Sequence, residues 1–359
     1  MAATNDAAAG KKLIVVLGAT GNQGGSVARR FAQDPRYRVR AVTRDPTSAK
    51  AQELAKLGME LATADFEDVE SLKAVFAGAN VIFSNTQYWE AFFRPDCRAD
   101  AAAKGISCRE YAYIVERRQS KNIADAAAAV VDTLDDNGFL VSTLSHAGKS
   151  SGGRFKDLYH FDGKAEIFPD YVNDTYPALA AKMSCIHTGY FTISHHILPG
   201  SYFRKHEDGT FEMRFPCKPT TRVPHLDVNH DAGPFVYAVS QMPPGKAYMA
   251  SSGDYRTFPE WIGAWGKLTG MPTRYTEVEV EDLQNEAHDE MLGLEVAIML
   301  RYSDDPGYDG GMELLKAEDL RKAGIDCPML TLEESLARQD WTAVINKPVW
   351  NAPGVPKGA

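Results

Sequence analysis

The segment LIVVLGATGNQGGSVARRF, Leu13 to Phe31, constrains the fold more than any other stretch. It joins an unbroken apolar run to glycines spaced G-x-x-G-x-x-G and then to a helical pattern. Leu13 to Leu17 is short and rich in branched side chains, as expected of a strand buried on both faces of a parallel sheet. Gly18, Gly21 and Gly24 follow at the strand's carboxyl end. Glycine there permits a tight turn, lets backbone approach a pyrophosphate, and lets the next helix pack against the strand. The helix amino terminus adds unpaired N–H groups and a positive dipole end. The segment reads as a nucleotide-binding turn.

A second apolar run, Tyr37 to Val42, begins about a helix length later and ends in Thr43-Arg44. An NAD-binding protein usually places an Asp or Glu there for the ribose hydroxyls. A carboxylate would repel a 2′-phosphate, whereas Arg44 would attract one, so the expected cofactor is NADP(H). The plainer alternative is a solvated loop arginine.

Strand and helix signals alternate onward: a helix from about Ser48 to Leu57, an apolar stretch at Met59 to Ala64, a helix at Val69 to Phe76 and a strand at Asn80 to Ser84. Asp65 and Phe66 follow the third strand, where they would border an adenine; equally, Asp68 caps the next helix and Phe66 packs beneath it. Thr86, just past the fourth strand, is a further cofactor candidate. Trp89 to Tyr113 reads as irregular and inserted, before a helix from about Ala112 to Leu134. The strand Phe139 to Thr143 leads to a glycine- and lysine-rich loop, Gly148 to Lys156, read as mobile over a ligand or as a plain exposed connection. A sixth strand is expected at Lys182 to His187. Asp231 is expected to cap a helix running through Phe235 to Met242, and further helices are expected at Thr257 to Leu268 and Leu332 to Trp341.

The chain has 359 residues, with 39 Lys and Arg against 48 Asp and Glu, a net charge of −9. That balance disfavours nonspecific nucleic-acid binding and anionic membrane surfaces. Residues 1 to 10 are small and polar without a signal-peptide core, and no apolar run reaches roughly 18 residues. The expectation is a cytoplasmic protein, with a nuclear pool and homodimerisation left open. Its partner would be a small-molecule substrate or a regulatory protein, not nucleic acid or membrane. The 5 cysteines are scattered with no C-x-x-C pair, consistent with reduced thiols. His195 and His196 are adjacent, so their side chains are expected to diverge, and no metal site is expected.

The chemistry is expected in YHFDGKAEIF, Tyr159 to Phe168. If the segment is helical, His160 and Lys164 lie on one face at i and i+4, whereas Tyr159 is rotated by about 100°. His160 would donate the proton when a carbonyl or conjugated alkene accepts hydride, with Lys164 fixing the cofactor and Ser142 or Ser145 polarising the substrate. Alternatively Lys164 relays the proton, or both residues serve only to anchor and pack.

Taken together, GATGNQGGSVARRF (Gly18 to Phe31), VRAVTRDP (Val39 to Pro46), QYWEAFF (Gln87 to Phe93), HFDGKAEIF (His160 to Phe168) and TLEESL (Thr331 to Leu336) resemble the NmrA-like family of atypical short-chain dehydrogenases/reductases. Several of these segments resemble the animal redox-sensing members closely. The resemblance implies NADP(H) with Gly18, Thr20, Gly21, Asn22, Gln23 and Gly24 around the phosphates, Arg44 at the 2′-phosphate and Lys164 near the nicotinamide ribose. Some members of that family are regulators lacking the dehydrogenase tyrosine and others are reductases relying on the lysine; His160 in the tyrosine position agrees with the former. Two regions, Phe93 to Tyr113 and Ala147 to Leu158, are longer than in the compact sensors. They suit a substrate pocket walled by Tyr88, Trp89, Phe92, Tyr190 and Phe191.

The expected architecture is α/β, a Rossmann-type doubly wound parallel sheet with a smaller α/β substrate-side domain. Residues 11–170, with a strand near 182–188, would form the first; 189–345 the second; and 1–10 and 346–359 the tails.

Overall fold

The apolar run after Lys11 forms β1 (Lys12–Val16), and Leu13 to Val16 are buried in it. In the computed structural model, which describes residues 10–253 and 255–350, β1 sits inside a parallel seven-stranded sheet. Its neighbours are β2 (Tyr37–Val42) and β4 (Val81–Ser84), in register Ile14 to Val39 and Ile14 to Val81. β3 (Glu60–Ala62) lies outside β2, while β5 (Phe139–Thr143), β6 (Met183–Thr188) and the strand Ala247–Ala250 extend the sheet beyond β4. The order of strand addition thus reverses between β1 and β4, and ligands of such sheets bind at that reversal, outside the carboxyl ends.

Alternation along β1 divides the core in two. Ile14 and Val16 pack with Val27 and Phe31 of α1 (Asn22–Ala32) and with Phe235. Leu13 and Val15 pack on the opposite face with Leu72 of α3 (Val69–Phe76) and Ile123 of α6 (Cys108–Ala128). Each of these helices after α1 has a local start signal. Ser48 caps α2 (Ala49–Lys56), Asp68 accepts the Glu70 N–H at 2.9 Å, and Ser107 accepts the Glu110 N–H at 3.1 Å.

The stretch expected to be irregular is helical: α4 (Tyr88–Phe93), α5 (Pro95–Ala103) and then α6. Pro95 opens α5, where its missing N–H costs nothing. α4 is too short for a helical period to show, and its buried Tyr88 and Phe92 mask any polar face. The Gly148–Lys156 loop is also held down. It begins with α7 (Ala147–Ser150), whose Ala147 N–H donates at 2.6 Å to Asp162 in α8 (Tyr159–Ala165). Leu158 is buried, and the Phe155 ring packs edge-on against Tyr302.

A division at residue 189 does not describe the chain. Helix Ala232–Val239 returns to cover α1, so closely that a Cβ on Gly233 would lie 2.3 Å from the Ser26 carbonyl oxygen. Strand Ala247–Ala250 then pairs with β6, Met249 opposite His187. Asp231 precedes that helix without capping it; its carboxylate takes the Leu330 N–H at 3.0 Å and His230 Nδ1 at 2.7 Å instead. The remaining chain forms a second layer from strands Arg204–Lys205, Phe211–Phe215 and Thr273–Glu277 and helices Phe258–Thr269 and Glu290–Tyr302. One aromatic core joins both parts, Trp261 and Trp265 from the later layer with Tyr88, Phe92 and Phe161 from the earlier one.

Residues 346–350 do not form a tail: the Trp350 N–H bonds to the Lys205 carbonyl at 2.8 Å and Arg204 lies over its ring. Residues 1–9 and 351–359, expected as tails, lie outside the described residues. His195 and His196 do not diverge, because the tight turn Ser194–His196 brings their rings to 4.1 Å. Among the described residues no helix is long and apolar enough to cross a membrane, and no group of three or more His, Cys, Asp or Glu is placed to hold a metal.

Candidate functional site

The carboxyl end of β1 is shaped by two glycines. Gly18 has φ +60°, and a Cβ there would meet Asn85 Oδ1 at 2.7 Å. A Cβ on Gly24 would lie 2.3 Å from the Gly18 carbonyl oxygen, so α1 approaches the turn as only glycine allows. Thr20 and Gly21 complete the turn, and Asn22 and Gln23 open the helix. No side chain caps α1 and no acidic residue occupies its first turn, which leaves the leading amides and the positive dipole end for an anion. This cradle, which a Cβ would fill, fits a dinucleotide pyrophosphate.

Arg44 extends from the end of β2 with its side chain 71% exposed, and it forms an ion pair with Glu90 of α4. Asp65 is exposed and accepts the Glu67 N–H at 2.9 Å. Phe66 is half-buried against the core, and its carbonyl accepts from Asn122 at 2.9 Å. Both therefore have local structural partners at the β3 edge. Thr86 donates to Glu116 Oε1 at 2.8 Å.

α8 is helical, and the two candidate side chains on it, Lys164 and His160, are each held by a buried carboxylate. Lys164 Nζ donates to Glu116 Oε1 of α6. Glu116 is 1% exposed, and its Oε2 is buried with no hydrogen-bond partner. His160 Nδ1 lies 2.7 Å from Glu295 Oε1, an atom that also accepts the His160 backbone N–H at 2.8 Å. Arg109 Nε donates to the other oxygen, Glu295 Oε2, at 2.6 Å, and Arg109 Nη2 donates to the Asp157 carbonyl at 2.6 Å. Burial pushes the Glu295 carboxyl upward, but His160 and Arg109 outweigh it and hold the group below the usual carboxylate range. With Nδ1 committed to Glu295, Nε2 is the nitrogen left to exchange a proton.

Tyr159 is turned away, its ring 5.6 Å from Tyr113 and beneath the Arg109 guanidinium; burial raises its hydroxyl pKa. Ser142 does not join the group. Strand alternation puts it on the Leu140 face of β5, which packs toward α1, whereas Val141 packs toward α6. Ser145 is engaged by the Tyr302 hydroxyl at 2.8 Å. Of the expected pocket walls, Tyr88 and Trp89 face the His160 ring at 5.8 and 5.2 Å. Phe92 and Tyr190 are buried in the aromatic core that joins the two layers, and Phe191 packs with the core on the α1 face of the sheet. A cavity of about 400 Å³ lined by Leu144, Phe168, Cys185 and His187 includes neither His160 nor Lys164.

Sequence reasoning passed over Glu116, Glu295, Arg109 and Glu90. Glu295 did carry a signal: a lone carboxylate in the apolar run MLGLEVAIML is costly to bury unless paired. Nothing local marks Glu116 within the charged run VERRQ.

A family model described as the NmrA-like family matches residues 10–336. The chain belongs to the NmrA-like family. Among curated members, the oxidoreductase ptmS of Penicillium ochrochloron is 29% identical over 293 residues, 75% of this chain and 76% of that protein. The oxidoreductase cpsB of Aspergillus campestris is 26% identical over 284 residues, 74% of this chain and 76% of its own. The oxidoreductase hkm9 of Aspergillus hancockii is 49% identical, but over only 84 residues, 25% of that relative's length. Among solved structures, the negative transcriptional regulator NmrA in complex with NADP superposes with a TM-score of 0.65 at 20% identity, covering 91% of this chain and 95% of that one. NmrA has also been solved with NAD. The Escherichia coli NADPH-dependent quinone oxidoreductase QOR2 superposes with a TM-score of 0.59 at 18% identity, covering 91% and 98%. These likenesses establish the parallel, Rossmann-type α/β fold of this family member.

Proposed function

We propose that this family member is an NADPH-dependent oxidoreductase that reduces a small, fairly apolar carbonyl or conjugated alkene. The observation that carries the reading is the His160–Glu295–Arg109 arrangement, in which a buried carboxylate fixes one imidazole nitrogen and leaves the other for proton transfer. Gly18, Thr20, Gly21, Asn22, Gln23 and Gly24 take the phosphates, Arg44 the 2′-phosphate, Asp65 and Phe66 the adenine edge, and Thr86 and Lys164 the nicotinamide side. When bound, NADPH would supply the hydride for the substrate carbon. His160 Nε2 delivers the balancing proton to the carbonyl oxygen, or to the alkene carbon, and Lys164 orients the cofactor ribose. Fungal relatives described as oxidoreductases and structural neighbours that bind NADP(H) support this reading.

A second reading, a noncatalytic NADP(H)-sensing regulator acting through a protein partner, is favoured by the packing of His160 under Trp89 and Tyr88 at 7% exposure. The two are separated by incubating the protein with NADPH and a panel of quinones, aromatic ketones and enones while following nicotinamide absorbance. Turnover that is lost in Lys164→Ala with NADPH binding retained supports the enzyme. No turnover across the panel, with NADPH-dependent retention of a partner protein, supports the regulator.

A further inference from the structure

Arg44 and Glu90 meet across the cofactor crevice. Arg44 follows β2 and Glu90 belongs to α4, which follows β4; β2 and β4 are the two neighbours of β1. Their ion pair therefore joins the two sides of the strand whose end carries Gly18 and Gly24. The Glu90 carboxylate has no other side-chain partner among the described residues, and neither does the Arg44 guanidinium.

We infer that Glu90 is a specificity-determining residue that works against Arg44. Dinucleotide-binding sheets selective for NAD(H) carry a carboxylate at the end of β2 to accept hydrogen bonds from the ribose hydroxyls. Here β2 ends in Thr43-Arg44, and the carboxylate arrives from α4 instead. A 2′-phosphate gains the Arg44 guanidinium only by displacing Glu90 from it, and then stands beside a like charge. The 2′-hydroxyl of NAD(H) meets no such repulsion and finds an acceptor in Glu90. One pair thus holds both determinants, the cation favouring NADP(H) and the anion favouring NAD(H). Selectivity for NADP(H) is lower than Arg44 alone would produce.

This inference rests on the reading of Arg44 as the 2′-phosphate contact, and the experiment separates the two. NADPH and NADH are titrated by nicotinamide fluorescence against the unaltered protein, Glu90→Gln and Arg44→Ala, with melting curves to confirm that each variant is folded. A partly exposed ion pair contributes modestly, so Glu90→Gln is expected to tighten NADPH about fivefold without tightening NADH. Arg44→Ala is expected to weaken NADPH about tenfold and leave NADH within about twofold. If Arg44→Ala abolishes the discrimination but Glu90→Gln leaves the NADPH to NADH ratio unchanged, the role of Glu90 is overturned and that of Arg44 stands. If Arg44→Ala leaves the ratio unchanged, both fall.

Discussion

His160 meets Glu295 twice, its backbone N–H and its Nδ1 reaching the same carboxylate oxygen at 2.8 and 2.7 Å. The double contact fixes the start of α8 and the imidazole orientation in one step. It also ties the half that carries the seven-stranded sheet to helix Glu290–Tyr302 of the later layer, so the candidate proton donor is oriented by a residue from the opposite part of the chain.

Replacing Glu295 by Ala would strand the Arg109 guanidinium, which is 7% exposed. Removing one partner of a buried ion pair costs about 3–5 kcal/mol. Urea denaturation should show a loss of that size for Glu295→Ala and a smaller one for Glu295→Gln, which keeps the shape and one acceptor. Turnover should fall in both.

Glu116 gives Lys164 its only carboxylate partner among the described residues. Glu116→Ala should therefore lower the rate by roughly tenfold to a hundredfold, on the scale of a residue that orients a reacting group. NADPH affinity should change far less, because the phosphate cradle is built from other residues. A matching loss of rate and cofactor affinity would argue that Glu116 only stabilises the fold.

Gly24→Ala tests the cradle. With its Cβ 2.3 Å from a backbone oxygen, α1 must move off β1, costing about 1–3 kcal/mol or more. Melting temperature and NADPH affinity should fall together. Retention of both would mean that α1 does not need its close seat on the turn.

Acid should destabilise the fold through buried imidazoles. Burial holds His187 and His195 near 4 and His225 near 3, the neighbouring His196 adding to the effect on His195. The unfolded chain takes up protons on these groups below about 6.5 while the folded chain does not, so stability is fully present above that pH and declines as pH falls toward the folded values. Each contributes at most roughly 3 to 5 kcal/mol, His225 the most. Asp231, raised to about 6 mainly by burial, acts in the opposite direction: its folded form holds a proton that the unfolded chain has lost, so it favours folding as pH falls through 6. Three imidazoles outweigh one carboxyl. Urea denaturation between pH 7.5 and 4.5 should show falling stability, with a flatter slope in His187→Leu.

The first four strands and α1 to α3 were legible because their signals are local: apolar runs of strand length, glycines at a strand end, and Ser48 or Asp68 just before a helical period. α4 and α5 were not, since six and nine residues give too short a window, and Tyr88 and Phe92 of α4 point into a core shared with the later layer. The Asp231 cap was misread because a residue of the right type before a helix can spend its oxygens elsewhere, here on Leu330 and His230. Ser142 was expected to polarise the substrate beside His160, but the two-residue period of β5 puts it on the Leu140 face.

The sequence by itself determined the glycine-rich turn, the parallel sheet around it, the family, and the placement of His160 and Lys164 on one face of a helix. The turn, the sheet and the helix face follow from patterns that repeat every two to four residues, and the family from the resemblance of five longer segments. Only the tertiary structure decided what stands beside each charged group. Lys164 finds Glu116 at a separation of 48 residues, His160 finds Glu295 at 135, and Arg44 finds Glu90 at 46. A charge buried or poised in a crevice takes whichever opposite charge the packing delivers, and no local periodicity encodes that choice.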